Sequence, residues 1–185
     1  MEMFLLVVGG IALLAVLMYN SLVSKKNQVD NIFASVDAVL KQRYDLIPNL
    51  VASVKEYMMH ERETLEKITA LRSQALKSGL DSDAKMALDA KLSEAIGGLM
   101  VAVENYPTLK ANENFLHLQH TMSELEEQIA AARRAYNQSI TDYNNAIEMF
   151  PTNFMAGFMG LTRKNVFAIP QSERRNVDVD HLFKK

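Results

Sequence analysis

The sequence has no cysteine and no tryptophan, and its 185 residues include only seven glycines and four prolines. Without cysteine the chain cannot form disulfides, cysteine-ligated zinc sites, iron–sulfur clusters or thiol nucleophiles. The shortage of glycine and proline argues against all-β and dinucleotide-binding folds. Basic charge is not in excess, because 20 Lys and Arg face 22 Asp and Glu and give a net charge of −2. We therefore expect no nucleic-acid partner.

What the sequence does contain favours helix. It is 49% hydrophobic with eleven methionines, and it is rich in alanine, leucine and glutamate, which have high helix propensity. A chain of this length accommodates one domain of ordinary size and a short additional segment. We predict an all-α protein, with an N-terminal transmembrane helix followed by an antiparallel bundle of about four helical segments.

The N-terminus is the most apolar part of the sequence. No charged residue occurs from Met3 to Ser24, and about 20 helical residues cross the roughly 30 Å hydrocarbon core of a bilayer. A buried core helix would show a polar stripe, and a cleaved signal peptide would have a basic start and an Ala-x-Ala-like site. Neither pattern is present, so we expect residues 1–24 to be an uncleaved, single-pass anchor.

The charges that flank this segment predict its orientation. Lys25 and Lys26 follow it, whereas Glu2 precedes it. By the positive-inside rule, the flank that carries the lysines stays in the cytoplasm. We therefore expect the C-terminal domain to be cytoplasmic.

Apolar residues recur every three or four positions in the remaining chain, which is typical of amphipathic helices that pack together. The stripes consist of Val29, Phe33, Val36 and Leu40; Leu50, Val54 and Met58 with Leu65, Ile68 and Leu71; Leu88, Leu92, Ile96, Leu99 and Val103; and Phe115, Leu118, Met122, Leu125, Ile129, Ala132, Tyr136, Ile140, Tyr143 and Ile147. The last stripe fits a heptad seam of about 50 Å. It is longer than the third stripe can cover, so it needs the first helix or a second subunit as a further partner.

Capping residues and prolines predict the helix ends. Asp81 or Ser82 can cap the third helix, and Asn112 or Asn114 can cap the last one. Pro151 should end the last helix, because proline lacks a backbone donor. We expect the bundle to occupy residues 25–150.

Pro48 leaves two interpretations open. The preferred one is a break, with Asp45 as the N-cap of a new helix and Pro48 in its tolerated first turn. The other is one continuous, kinked helix, because prolines also kink helices without reversing the chain.

Residues 151–185 differ from the predicted bundle in composition. They begin with the apolar sequence PTNFMAGFMGL and contain six basic but only three acidic side chains. Such a segment can contact an anionic membrane surface or the acidic flank of the bundle. The simpler interpretation is that the apolar patch closes the end of the bundle and that the rest of the tail is partly disordered.

The sequence lacks the motifs of common catalytic and metal sites. It has no glycine-rich phosphate loop, nucleophile elbow or Rossmann fingerprint, and the Glu-x-x-His pairs of di-iron bundles do not occur. His117 and His120 share a helix face, but without a carboxylate they would bind a metal weakly. We predict no catalytic residues, no metal site and no cofactor.

Two groups of polar residues are more concentrated than helix packing requires. The first comprises Arg43, Tyr44, Asp45, Pro48 and Asn49. The second contains two Tyr-Asn pairs one heptad apart and comprises Arg133, Arg134, Tyr136, Asn137, Tyr143 and Asn144. Tyrosines on a core stripe need polar partners for their hydroxyls. Each group is interpreted as a structural network that fixes helix register or, alternatively, as a ligand or partner site.

These segments carry a recognisable pattern. RYDLIPNLV, VKEYMMHERETLEKITALRSQA, NFLHLQHTMSELEEQIAAARRAYN, YNNAIEMFPTN and AGFMGL together resemble the LemA family of bacterial membrane proteins. The resemblance implies a single N-terminal transmembrane helix, an α-helical bundle and a location in the bacterial inner membrane. It implies no catalytic residues and no shared activity.

Two functional hypotheses follow. The preferred one is a non-enzymatic, membrane-anchored scaffold that self-associates into a homo-oligomer through its long helices. The alternative is an adaptor for a membrane partner such as a protease or a sensor, which would bind through the Arg43/Asp45 region or the basic tail.

Overall fold

The computed structural model describes residues 1–167, and all regular secondary structure within them is helical. The all-α prediction is confirmed. The helices, numbered in chain order, are α1 Glu2–Lys55, α2 Arg62–Ala75, α3 Ser82–Val103, α4 Pro107–Lys110, α5 Glu113–Glu148 and α6 Thr152–Phe158. A 3₁₀ turn, Met59–Glu61, precedes α2. Pro170 and the rest of the predicted basic tail after residue 167 lie outside the described residues.

Helix α1 passes through Pro48 without a break, so the predicted break with Asp45 as an N-cap is wrong and the continuous alternative is correct. Proline removes the donor that would bond to the carbonyl four residues earlier, which is that of Tyr44. Arg72 on α2 supplies a donor instead, because its Nε donates to the Tyr44 carbonyl oxygen at 2.7 Å. Asp45 is exposed and forms an ion pair with Lys41 at 2.6 Å. A contact between two helices therefore offsets part of the cost of proline inside α1.

Helices α1 and α5 run antiparallel and form the most extensive helix pair. Three contacts define their register. They are Lys25 with Asp142 at 3.6 Å, Phe33 with Tyr136 at 5.3 Å between ring centroids, and Arg43 with Glu126 at 3.1 Å. Moving a given number of residues forward along α1 therefore corresponds to moving about the same number of residues backward along α5. The apolar seam of α5 is buried, and of the two partners considered for it, the first helix is the one that packs against it.

Helices α2 and α3 cover only the part of the α1–α5 pair that is farther from residue 24. Arg72 of α2 lies beside Tyr44, and Lys85 of α3 forms an ion pair with Asp37. The turn between α2 and α3 therefore lies near Asp37, about midway along the part of α1 that belongs to the bundle. Nearer to residue 24, α6 and residues 161–167 pack against α1 and α5 instead.

The helix ends follow the predicted capping chemistry. Asp81 caps α3 and Asn112 caps α5, each accepting a hydrogen bond from a backbone N–H in the first turn, at 2.7 and 3.1 Å. Helix α5 ends at Glu148, just before Pro151. Local sequence signals therefore indicate where these two long helices begin and where α5 ends.

The N-terminal part of α1 projects from the bundle as an exposed apolar helix. Every residue from Met1 to Leu14 is exposed. By length and composition α1 includes a segment able to cross a membrane, and none of that segment is buried against the rest of the described chain. Apolar surface of this extent is unfavourable in water.

Candidate functional site

The first polar cluster is built around Asp89, which lies in the middle of α3 and is fully buried. Its two carboxylate oxygens accept hydrogen bonds from Arg43 of α1, through Nη1 at 3.2 Å, and from Arg133 of α5, through Nη2. Arg43 Nη1 also donates to Ser93 Oγ at 2.8 Å and lies 3.1 Å from Glu126 Oε2. Side chains from α1, α3 and α5 therefore meet in one network, which we call the Asp89 cluster.

The Asp89 cluster pairs opposite charges, and its inner members are closed to solvent. Arg43 is 1% exposed and Asp89 is 0% exposed, whereas Glu126 lies at the rim. Two guanidinium groups face two carboxylates, of which that of Asp89 is buried and that of Glu126 is about half exposed. Burying charges has a desolvation cost that only good geometry offsets. The Nε atoms of both arginines are buried without a hydrogen-bond partner within residues 1–167. The ion pairs to Asp89 form only while the three helices keep their relative positions, which agrees with the structural interpretation of Arg43 and Arg133.

Sequence reasoning singled out the two arginines but missed the groups that bind them. Asp89 lies on the buried stripe of α3, three residues from Met86 and three from Leu92. An acidic residue at an apolar helical position was therefore the available signal. Ser93 and Glu126 gave no comparable signal, because polar residues at partly exposed positions are ordinary.

Tyr44 lies beside the Asp89 cluster with its hydroxyl buried. The residue is 1% exposed, and its hydroxyl has no hydrogen-bond partner within residues 1–167. Burial and the nearby Asp89 carboxylate raise the pKa of the Tyr44 hydroxyl well above its ordinary value. The group therefore stays neutral at physiological pH, and Tyr44 contributes mainly packing.

The other members of the first predicted group lie apart from the cluster. Asp45, Pro48 and Asn49 are exposed. The structure thus divides the predicted group into a buried part, Arg43 with Tyr44, and an exposed part. A partner could reach only the exposed part, and that role stays a prediction.

The second polar group holds the segment 161–167 against α5. Asn144 Nδ2 donates to the Lys164 carbonyl oxygen at 2.8 Å, and its Oδ1 accepts from the Lys164 N–H at 2.9 Å. One heptad earlier, Asn137 makes the same pair of bonds with Phe167, at 3.2 and 2.8 Å. A carboxamide carries the same donor and acceptor as a peptide group. Each asparagine side chain therefore forms the pair of hydrogen bonds with a backbone residue that a neighbouring β-strand would form. We call the four hydrogen bonds of Asn137 and Asn144 the asparagine latch.

The spacing of the asparagine latch fits an extended segment. Seven residues of α-helix separate the two asparagines by about 10.5 Å. Three residues of extended chain, from Lys164 to Phe167, cover about 10 Å. The two Tyr-Asn pairs one heptad apart are therefore matched to a stretch of the chain's own backbone.

Two tyrosines complete the contact with this segment. Tyr136 stacks on Phe167 with ring centroids 4.9 Å apart, and the Tyr143 hydroxyl donates to the Thr162 carbonyl oxygen at 3.1 Å. The ammonium group of Lys164 lies 5.9 Å from the centre of the Tyr143 ring. Burial raises the pKa of the Tyr143 hydroxyl, although Lys164 opposes this effect. The hydroxyl thus remains a donor at neutral pH.

The remaining predicted positions are exposed. Arg134, which belongs to the second predicted group, is exposed on α5, as are His117 and His120. His120 Nδ1 lies 3.5 Å from a Glu124 carboxylate oxygen on the same helix. Within residues 1–167, no three or more His, Cys, Asp or Glu side chains are placed to share a metal ion.

Comparison with known proteins gives the family. The model of the LemA family matches residues 32–181. Protein LemA of Metamycoplasma hominis is 30% identical over 179 residues, which cover 97% of this chain and 82% of the relative. Magnetosome protein MamQ 2 of Paramagnetospirillum magneticum is 23% identical over 89% of this chain and 71% of its own length, and Magnetosome protein MamQ of Magnetospirillum gryphiswaldense is 24% identical over 80% and 64%. The resemblance drawn from the sequence motifs is confirmed, and the chain belongs to the LemA family.

Proposed function

We propose that this protein is a non-enzymatic, membrane-anchored scaffold that self-associates. The observation that carries the proposal is the continuity of α1, which runs from the exposed apolar segment into the bundle without interruption. From Ser24 to Lys55 this helix extends roughly 45–50 Å. The continuous helix would therefore hold the far end of the bundle at a fixed distance from the bilayer.

Residues 1–24 are the anchor in this proposal, and residues 25–150 form the bundle. The anchor is supported by the exposure of its first 14 residues, Met1 to Leu14, which nothing in residues 1–167 covers. Lys25 and Lys26, which follow the anchor, support a cytoplasmic bundle at the bacterial inner membrane.

The use of the buried polar groups inside the fold supports a non-enzymatic role. Asp89 and Arg43 are closed to solvent and bind each other. Asn137 and Asn144 bind the chain's own backbone. In both places the buried polar groups bind other parts of the fold and stabilise the packing of its helices and segments.

Self-association is supported by exposed apolar residues at the end of the bundle farthest from residue 24. Tyr57, Met59, Val101 and Leu116 are 38%, 78%, 72% and 47% exposed. Tyr57 and Met59 directly follow α1, and the helix registers place Val101 and Leu116 beside its last turns. We call these four residues the distal surface. Several exposed apolar residues at one end of the bundle favour a protein contact there.

The charges around the distal surface suit a contact between identical copies. Exposed residues of both signs lie close to its members in the sequence: Lys55, Glu56, Arg62, Glu104 and Lys110. In a two-fold contact each residue faces a different residue of the same set. A mixed border allows positive groups of one copy to meet negative groups of the other.

The oligomeric state of the full chain in detergent tests this proposal. We expect the wild-type chain to form dimers or larger assemblies by light scattering corrected for detergent. The combined change Met59→Gln, Val101→Gln and Leu116→Gln should shift it to monomer, because the apolar contact is lost. Leu76→Gln is the matched control, because Leu76 is 44% exposed but lies at the turn between α2 and α3.

A wild-type chain that stays monomeric at every concentration would reject self-association. Photocrosslinking in cells from residue 59, on the distal surface, and from residue 45, at the adaptor's proposed contact, then separates the two hypotheses. Capture of sister copies supports the scaffold, whereas stoichiometric capture of one foreign membrane protein supports the adaptor. Arg43 is buried and cannot be the adaptor's contact, which leaves Asp45 and the basic tail for that role.

A further inference from the structure

A second set of exposed apolar residues lies where the chain passes from α5 to α6. Met149, Phe150, Phe154 and Phe158 are 64%, 79%, 63% and 90% exposed. No charged residue occurs from Met149 to Thr162. Large apolar side chains in an uncharged stretch are unusual on a surface that faces only water.

Helix α6 divides its apolar residues between two faces. Ala156 is buried, and Met155 and Met159 pack against the core of the bundle. Phe154 and Phe158, one turn apart, are on the exposed face, and the Phe150 ring lies edge-on to Phe154 at 6.1 Å. The packing of the bundle therefore accounts for one face of α6 and leaves an aromatic ridge, Phe150, Phe154 and Phe158, on the other.

The pairing of residues between α1 and α5 gives the position of this ridge along α1. Since Lys25 lies opposite Asp142, Glu148 lies opposite residues 19–21, in the last turns of the uncharged N-terminal segment. Helix α6 also contacts α1 directly. Within residues 1–22, Ala15, Met18 and Leu22 are the positions shielded from solvent. The ridge therefore lies beside the end of the segment that we place in the bilayer.

Basic residues border the ridge on the side of the bundle. Lys25, Lys26, Arg163 and Lys164 are close to the same level, and Lys164 reaches Asp30 of α1 at 3.4 Å. Arg163 remains 69% exposed while pairing with Glu148. Lys25 also pairs with Asp142, so carboxylates offset part of this positive charge, while Lys26 is exposed. An apolar ridge beside exposed basic side chains is the pattern of segments that lie in the headgroup region of an anionic bilayer.

We propose that the aromatic ridge is a second membrane contact, in which Phe150, Phe154 and Phe158 insert into the boundary between headgroups and acyl chains. This inference rests on the proposed anchoring by residues 1–24. Two contacts on one rigid bundle would fix its orientation relative to the bilayer, which a single helix cannot do. The distal surface would then always face away from the membrane.

Single-tryptophan fluorescence tests the inference, because the natural chain has no tryptophan. Phe154→Trp and Phe158→Trp would be made separately in the full chain and reconstituted in phosphatidylcholine–phosphatidylglycerol vesicles that contain brominated lipids. We expect both tryptophans to be quenched, and more strongly by bromines near the carbonyl groups than by bromines deep in the acyl chains. Val101→Trp, at an exposed position on the distal surface, should not be quenched.

Leu13→Trp, inside the proposed anchor, shows whether a negative result concerns the second membrane contact or the anchoring itself. It should be quenched most strongly by deep bromines. If Leu13→Trp is quenched but Phe154→Trp and Phe158→Trp are not, the second membrane contact is overturned and the anchoring stands. The same result is expected if a protein, and not lipid, covers the ridge. Absence of quenching in all variants would reject the anchoring itself.

Discussion

Replacing Asp89 with alanine should lower the free energy of unfolding by about 3–5 kcal/mol, because it removes the carboxylate from a buried ion-pair network. Arg43 is 1% exposed and would keep only the rim residue Glu126 as an ionic partner. Arg133 would lose its partner in the same network. Urea unfolding of the full chain in detergent, followed by circular dichroism, measures the change.

Two further variants make this expectation specific. Asp45→Ala removes a carboxylate from an exposed ion pair with Lys41 and should cost less than about 1 kcal/mol. Replacing the charged groups together, as Arg43→Met, Asp89→Leu and Arg133→Met, should recover most of the stability, because no unpaired charge is left buried. Equal losses for Asp89→Ala and Asp45→Ala would contradict the assigned role of the cluster.

The second large effect is expected from the asparagine latch. Changing Asn137 and Asn144 together to alanine removes four hydrogen bonds to residues 164 and 167. At about 0.5–1.5 kcal/mol for each bond, the contact of segment 161–167 with α5 should weaken by about 2–6 kcal/mol. Amide hydrogen exchange of the segment should accelerate by at least about tenfold, since 1.4 kcal/mol corresponds to a factor of ten.

Hydrogen exchange with mass spectrometry on the full chain gives this measurement for each segment. Asn145→Ala is the matched control, because Asn145 is exposed on the same helix next to Asn144. It should leave exchange in 161–167 unchanged. Exchange that is equally slow in the double variant would show that aromatic stacking on Tyr136, and not the latch, holds the segment.

Much of the fold could be predicted because helix periodicity and capping are local signals. The stripes over Val29–Leu40 and Phe115–Ile147 lie on the buried faces of α1 and α5, and Asp81 and Asn112 cap the expected helices. Pro48 was misjudged because the donor that compensates for it comes from Arg72, which is 24 positions away along the chain. A local rule for proline cannot include a tertiary hydrogen bond.

The polar residues were recognised, but their partners were not. Arg43 and Arg133 lie in different predicted helices, and only the packing of α3 brings Asp89 between them. The heptad spacing of Asn137 and Asn144 was visible in the sequence. Their partner was not, because the bonds go to the backbone of residues 164 and 167, and backbone groups are the same at every position.

The most direct test of membrane anchoring is the intact mass of the chain recovered from bacterial membranes that have been washed at alkaline pH. We expect it in the membrane pellet at its full mass of 20.8 kDa, with residues 1–24 still attached. Recovery in the soluble fraction, with a mass reduced by the loss of those residues, would contradict the proposed scaffold and the second membrane contact together.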